Sequence, residues 1–163
     1  MLDTPKPAGK PAVQQGVKLN NKIWTASSST KDSSFLFSGD KMPVDISAAN
    51  AIDGDHWTGW RDMSGTQHPG QWFMVDMKTL QKFDKIQLDN TWALWDSPNR
   101  YIVTVSNDGK EWSQPVAEGS GPLGITEISF PTKYARFIKI TQSGSDPKYN
   151  WSIYEMDVYR KKN

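Results

Sequence analysis

One short segment holds the clearest metal chemistry in the chain. Asn50, Asp53, Asp55 and Thr58 place oxygen-bearing residues at intervals of three, two and three, with Gly54 allowing a sharp turn between the two carboxylates. Ca²⁺ takes about six to eight oxygens from carboxylates, carbonyls and hydroxyls in a tight loop. The same spacing also suits a plain acidic turn, and the segment alone does not choose between the two. A second chemistry is aromatic. Eight Trp in 163 residues exceed what one small core commonly uses, so some are expected to face a partner. Trp92 and Trp95 stand three apart in a polar stretch and are the leading candidates. Sugars offer flat C–H faces to such rings, and nucleobases offer flat π-faces.

Catalysis has little to draw on. The chain has two His, no Cys and no Gly-x-Ser-x-Gly elbow. Asp53 and Asp55 could imitate a glycosidase pair, but their spacing is better used around a cation. The expectation is a binding domain, not an enzyme. Nineteen basic and 18 acidic residues leave a net charge of +1, which gives no broad field for nucleic acid or anionic membrane. Arg160, Lys161 and Lys162 cluster at the end and read as a solvated tail. Without Cys there are no disulfides and no thiolate metal sites. No apolar run is long enough to span a bilayer, and the first residues lack the apolar stretch of a signal peptide. A secreted parent would therefore have to contribute this segment from its middle or end.

These residues need a scaffold, and the signals are for strands. Residues 1–18 carry Pro5, Pro7, Gly9, Pro11 and Gly16 with few large apolar residues, and read as a linker. Strands are expected over 71–77, 83–89, 101–106, 124–130 and 134–141, with a last one from Trp151 to Tyr159. Asn107-Asp108-Gly109 signals a hairpin leading directly into 110–112. No segment keeps a helical period. One all-β domain over 19–160, a sandwich or jelly roll with a tail at 161–163, is the expected architecture. The hairpin turn caps one end of strand 101–106, so loop 90–100 lies at the other end, where sandwich loops converge. Trp24, Trp60, Trp72, Trp112 and Trp151 fall in or against strand patterns and are expected in the core.

The ordered series Ala49–Asp55, Thr58, Trp60, Gly70–Asp76, Tyr101–Gly109, Trp112, Ala135–Ile140 and Trp151–Glu155 resembles the factor V/VIII type C, or discoidin-like, domain, and within it bacterial carbohydrate-binding module family 32. The resemblance covers roughly residues 19–160. It implies an eight-stranded jelly-roll sandwich, no catalysis, and attachment to a secreted or surface carbohydrate-active enzyme, hence an extracellular, cell-surface or periplasmic location. It also implies a structural Ca²⁺ held by the Asn50 carbonyl, the Asp53 side chain, the Asp55 carbonyl, Thr58, the Tyr154 carbonyl and the Glu155 side chain.

Sugars in this family bind at the loop end of the sandwich. Three loops then supply candidates: Arg61, Asp62, Gln67 and His68; Trp92, Trp95, Asp96, Asn99 and Arg100; Tyr149 and Asn150. Charged and amide groups hydrogen-bond vicinal hydroxyls while an indole stacks on the ring. Galactose-binding members carry a His just after the motif's Trp; here Arg61 follows Trp60, so the resemblance does not carry galactose specificity. The alternative is an adhesion domain for a protein or lipid surface. The aromatic segment Ser33–Phe37 would be its apolar spike, although it has no basic collar and is expected to pack under its own loop.

Overall fold

The computed structural model describes residues 16–31, 34–36 and 43–162. Two strands of 18 residues each, β6 (Trp72–Asp89) and β9 (Ile125–Gln142), carry the architecture. Each fuses two strands that the sequence pattern separates. They pair with each other antiparallel along nearly their full length, and the ladder slips between Asp76 and Gln81 and again between Phe83 and Lys85. Lys78 lies near the first slip with φ 67°, and Pro131, which has no N–H to give a ladder, falls opposite the second. The two strands form a ribbon that leaves one pole of the domain, turns over at these irregularities, and returns. Both ends of the ribbon therefore lie at the same pole, beside loop 90–100.

The remaining strands attach to this ribbon. They are β1 (Val17–Lys18), β2 (Thr25–Ser28), β3 (Ser34–Leu36), β4 (Pro43–Asp45), β5 (Trp60–Arg61), β7 (Tyr101–Ser106), β8 (Ala117–Gly119), β10 (Ser152–Ile153) and β11 (Glu155–Arg160). The main sheet runs β1-β11-β6-β9-β7-β8, with β2 also on β6; β5 pairs with β10, and β3 with β4. Among the described residues there are thus eleven strands, of which β1, β5 and β10 are two-residue segments. Alternation along the ribbon turns Phe73, Val75, Met77, Ile86, Leu88, Ile128, Ile138 and Ile140 into one core that also takes in Trp24, Trp60 and Trp151. No helix among the described residues is long and apolar enough to cross a membrane.

Several expectations need correction. Trp72 and Trp112 are only half-buried. Trp72 lies on the outer side of β6, and Trp112 lies in a loop with the Lys139 ammonium 4.0 Å above its ring. Residues 110–112 form no strand, because the Asp108 carboxylate takes the N–H groups of Lys110 and Glu111; the strand paired with β7 is β8 instead. Val17 and Lys18, expected in the linker, pair with Arg160 and Tyr159, while residues 1–15 lie outside the described residues. Residues 34–36 are strand, whereas Ser33 and Phe37 lie outside the described residues.

Loops at the ribbon's open pole must satisfy their backbone polar groups without a ladder. Gln67 does much of this. Its Nε2 donates to the carbonyls of Ser97 (3.0 Å) and Asn150 (3.1 Å), and its Oε1 accepts from the Asn99 N–H (2.7 Å) and Gln142 Nε2 (2.6 Å). One buried amide thus holds three loops and the end of β9 together, so it is not the sugar contact that its position suggested. Gln67→Ala strands several of these partners and should cost about 2–4 kcal/mol, read as a lower urea midpoint with unchanged slope.

Candidate functional site

Trp60 and Trp151 fix the geometry of the loop pole. Their rings meet edge to face at 5.0 Å, and the Trp60 indole N–H donates to Ser28 Oγ at 3.0 Å. With Trp60 in the core, the alternation of β5 turns its neighbour Arg61 outward, opposite Ser152 in β10. Arg61 then reaches Asp96, with 3.0 Å between guanidinium and carboxylate. Burial pushes the Asp96 carboxyl above the ordinary carboxylate range, and the Arg61 charge opposes that push.

The loop bearing Asp96 is folded by its own polar residues. Buried Asn90 donates from Nδ2 to the Ser152 carbonyl at 2.8 Å, and Ser97 Oγ donates to the Leu94 carbonyl at 3.0 Å. With its backbone turned inward, the loop leaves its large rings outside: Trp92 is 53% exposed and Trp95 is 56% exposed. Each has an aromatic partner. Trp95 stacks on Tyr149 at 5.3 Å and 15°, and Trp92 stacks on Trp57 at 4.1 Å and 23°. Trp57, 71% exposed, was missed in the sequence, although a Trp in a polar, glycine-bearing loop outside any strand pattern was the available signal. His56 was missed as well; its Nδ1 lies 2.8 Å from Asp89 Oδ2 and joins the two loops.

The other sugar candidates divide. Asp62 is fully buried and accepts from Ser29 Oγ (3.0 Å), the Ser64 N–H (2.8 Å) and Ser64 Oγ (2.5 Å). Asp62 and Gln67 therefore support the loops from beneath, which corrects their expected place on the surface. Asn150 spends its amide on the Asp62 and Gly65 carbonyls, both at 3.0 Å. His68 is exposed, but its ring nitrogens lie near Ser64 Oγ and the Pro69 carbonyl, within its own turn. Asn99 and Arg100 are exposed. The surface that remains is an aromatic rim of Trp57, Trp92, Trp95 and Tyr149, with half-buried Arg61 paired to buried Asp96 on the loop that carries Trp92 and Trp95.

Beside the rim lies the acidic loop. Asp53 accepts the Asp55 N–H on Oδ1 (2.8 Å) and the Thr58 hydroxyl on Oδ2 (2.7 Å). Asp55 Oδ1 takes the Trp57 N–H at 2.9 Å. Gly54, at φ 83°, donates its N–H to Glu155 Oε2 at 3.1 Å, which ties the loop to β11. Asn50 sits on the 3-10 turn Ala48–Ile52, which packs against β11, and its side-chain amide donates to the Asp45 carbonyl. Tyr154, just before β11, donates its N–H to the Asp89 carbonyl. Glu155 is buried, burial pushes its carboxyl up to about 7, and its Oε1 has no hydrogen-bond partner. Among the described residues no three His, Cys, Asp or Glu side chains cluster to hold a metal. This set instead offers two carboxylates, a hydroxyl and main-chain carbonyls. An orphaned buried carboxylate oxygen in an all-oxygen set fits a hard cation such as Ca²⁺.

Comparison with known proteins places this arrangement. A galactose oxidase from Gibberella zeae is 30% identical over 126 residues, which cover 68% of this chain and 17% of that protein's length. The chain thus matches a small part of that relative. Among solved structures, a family 32 carbohydrate-binding module from Clostridium perfringens in complex with galactose superposes with a TM-score of 0.67 at 23% identity, covering 87% of this chain and 97% of the module. Chitosan-binding module 1 of a chitosanase/glucanase from Paenibacillus sp. IK-5 gives 0.61 at 25% identity, covering 85% and 95%. The jelly-roll sandwich is therefore the fold of known carbohydrate-binding modules. The F5/8 type C domain model matches residues 23–156, a span that includes both the acidic loop and the aromatic rim, and the chain belongs to that family.

Proposed function

We propose that this domain is a non-catalytic carbohydrate-binding module, stiffened by a structural Ca²⁺, that holds a secreted or surface glycan-active enzyme against its glycan. The observation that carries this reading is the aromatic rim: exposed Trp92 and Trp95 on the loop whose Asp96 pairs with Arg61, at the pole where loops converge. An indole face takes the C–H face of a pyranose, and the guanidinium and carboxylate hydrogen-bond its hydroxyls. Stacking on Tyr149 and Trp57 holds the rings before any ligand arrives, which lowers the ordering cost of binding. The similarity to modules whose names record galactose and chitosan supports the ligand class. A shallow surface of this kind binds weakly, at about micromolar to millimolar Kd.

Ca²⁺ would sit among the Asn50, Asp55 and Tyr154 carbonyls, the Asp53 and Glu155 carboxylates and Thr58. Its charge would answer the unpaired Glu155 oxygen, and the ion would fasten the 53–58 loop to β11. That role is structural. Linkage to a catalytic domain, and the extracellular, cell-surface or periplasmic setting that goes with it, belong to the same reading.

Three outcomes are expected. On a glycan array followed by calorimetric titration, Trp92→Ala and Trp95→Ala each weaken binding by about tenfold, and unchanged binding in both removes the site. Ca²⁺ at about a hundred times its Kd raises the melting temperature by about 5–10 °C, EDTA reverses the rise, and Glu155→Gln blunts it; a melting temperature indifferent to both would end the metal reading. Sugar affinity falls as acidification protonates Asp96 through its raised pKa and releases Arg61, a step that Asp96→Asn abolishes. The stability sign is the opposite: burial favours the protonated group, so this residue's contribution to folding diminishes as pH rises through the same range.

A further inference from the structure

The rim has more aromatic surface than one sugar ring needs. Trp95 with Tyr149 forms one platform and Trp92 with Trp57 forms another, and both are reached from the same short loop. Trp92 and Trp95 are three residues apart, so their Cα atoms lie within about 11 Å of each other even if the chain were fully extended. Between them in sequence lies Leu94, 44% exposed, and Asp96 follows directly with Arg61 paired to it. Trp57 stays 71% exposed although one face is stacked on Trp92, so its outer face is free. Its backbone is held from below, where its N–H donates to Asp55, and the neighbouring His56 is tied to Asp89 at the end of β6. A ring fixed at its base, stacked on one side and open on the other is built to receive something flat.

We infer that the two platforms are two subsites, that the ligand is an oligosaccharide engaged over at least two consecutive rings, and that Trp57 supplies the outer subsite. The inference rests on the sugar-binding reading and goes further by assigning chain length as the property recognised. Trp95, Tyr149, Arg61 and Asp96 hold one ring by stacking and by hydrogen bonds to its hydroxyls. Trp57 and Trp92 hold the next by stacking alone, because the carboxylates beside that platform are already engaged, Asp55 by the Trp57 N–H and Asp89 by His56. The outer subsite therefore adds affinity with little discrimination among sugars, while the inner one discriminates.

The test is calorimetric titration of the whole domain with matched pairs: galactose against a β-linked galactobiose, and glucosamine against chitotriose. For the pair that binds, the oligosaccharide is expected to bind at least about tenfold more tightly than the monosaccharide. Trp57→Ala should remove that gain while costing monosaccharide affinity far less than oligosaccharide affinity, and be partly rescued by Trp57→Phe. Equal affinity for mono- and oligosaccharide in the wild type overturns the two-subsite inference and leaves sugar binding standing. So does a Trp57→Ala variant that weakens both equally, since Trp57 would then merely brace the loop. Binding to neither pair or to any arrayed glycan overturns the sugar-binding reading, and the inference with it.

Discussion

The open pole of the sandwich is governed by one constraint: loops that leave the ladders still carry a donor and an acceptor at nearly every residue. Here two buried amides meet that demand. Gln67 and Gln142 hydrogen-bond each other, and their remaining groups reach Ser97, Asn99, Arg100, Gly144 and Asn150. Asn90 and Asp62 do the same for the neighbouring turns. These polar side chains are consumed beneath the surface, and the rings of Trp57, Trp92 and Trp95 are left to face solvent beside exposed polar residues such as His68, Asn99 and Arg100.

That constraint also explains what could be read from the chain and what could not. The turn of the acidic loop was legible because it is local: Asp53, Asp55 and Thr58 close it with short-range hydrogen bonds around Gly54. The strands were legible from alternation, but their fusion into β6 and β9 was not. Segments 71–77 and 83–89, like 124–130 and 134–141, read as separate strands in a short window, and only pairing along the whole ribbon joins them across Lys78 and Pro131. Asp62 and Gln67 misled for a similar reason. A polar residue in a loop looks exposed until the unpaired backbone it must satisfy is known. Trp57 went unnoticed because it sits inside the segment whose carboxylates explained everything else.

The rim and the acidic loop are neighbours with shared supports. β5 ends the acidic loop and presents Arg61. The segment around Ser152 receives Asn90 from one loop, and Glu155, three residues later, receives Gly54 from the other. Asp89 closes β6 while gripping both His56 and Thr91. The two clusters are therefore joined by short hydrogen bonds, buried at Asn90 and Ser152, part-buried at Gly54 and Glu155, and exposed at His56 and Asp89.

The pairing of β1 with β11 has a mechanical consequence. Val17 lies beside Arg160, so the chain enters and leaves the fold at adjacent points, on the pole facing away from the aromatic rim. Whatever is joined at either side hangs from that far pole, and the rim points outward from it. Tension between the two ends would open the β1–β11 ladder one hydrogen bond at a time, in the manner of a zipper. The first two residues to yield would be Val17 and Lys18, while the loops at the opposite pole stayed outside the line of force.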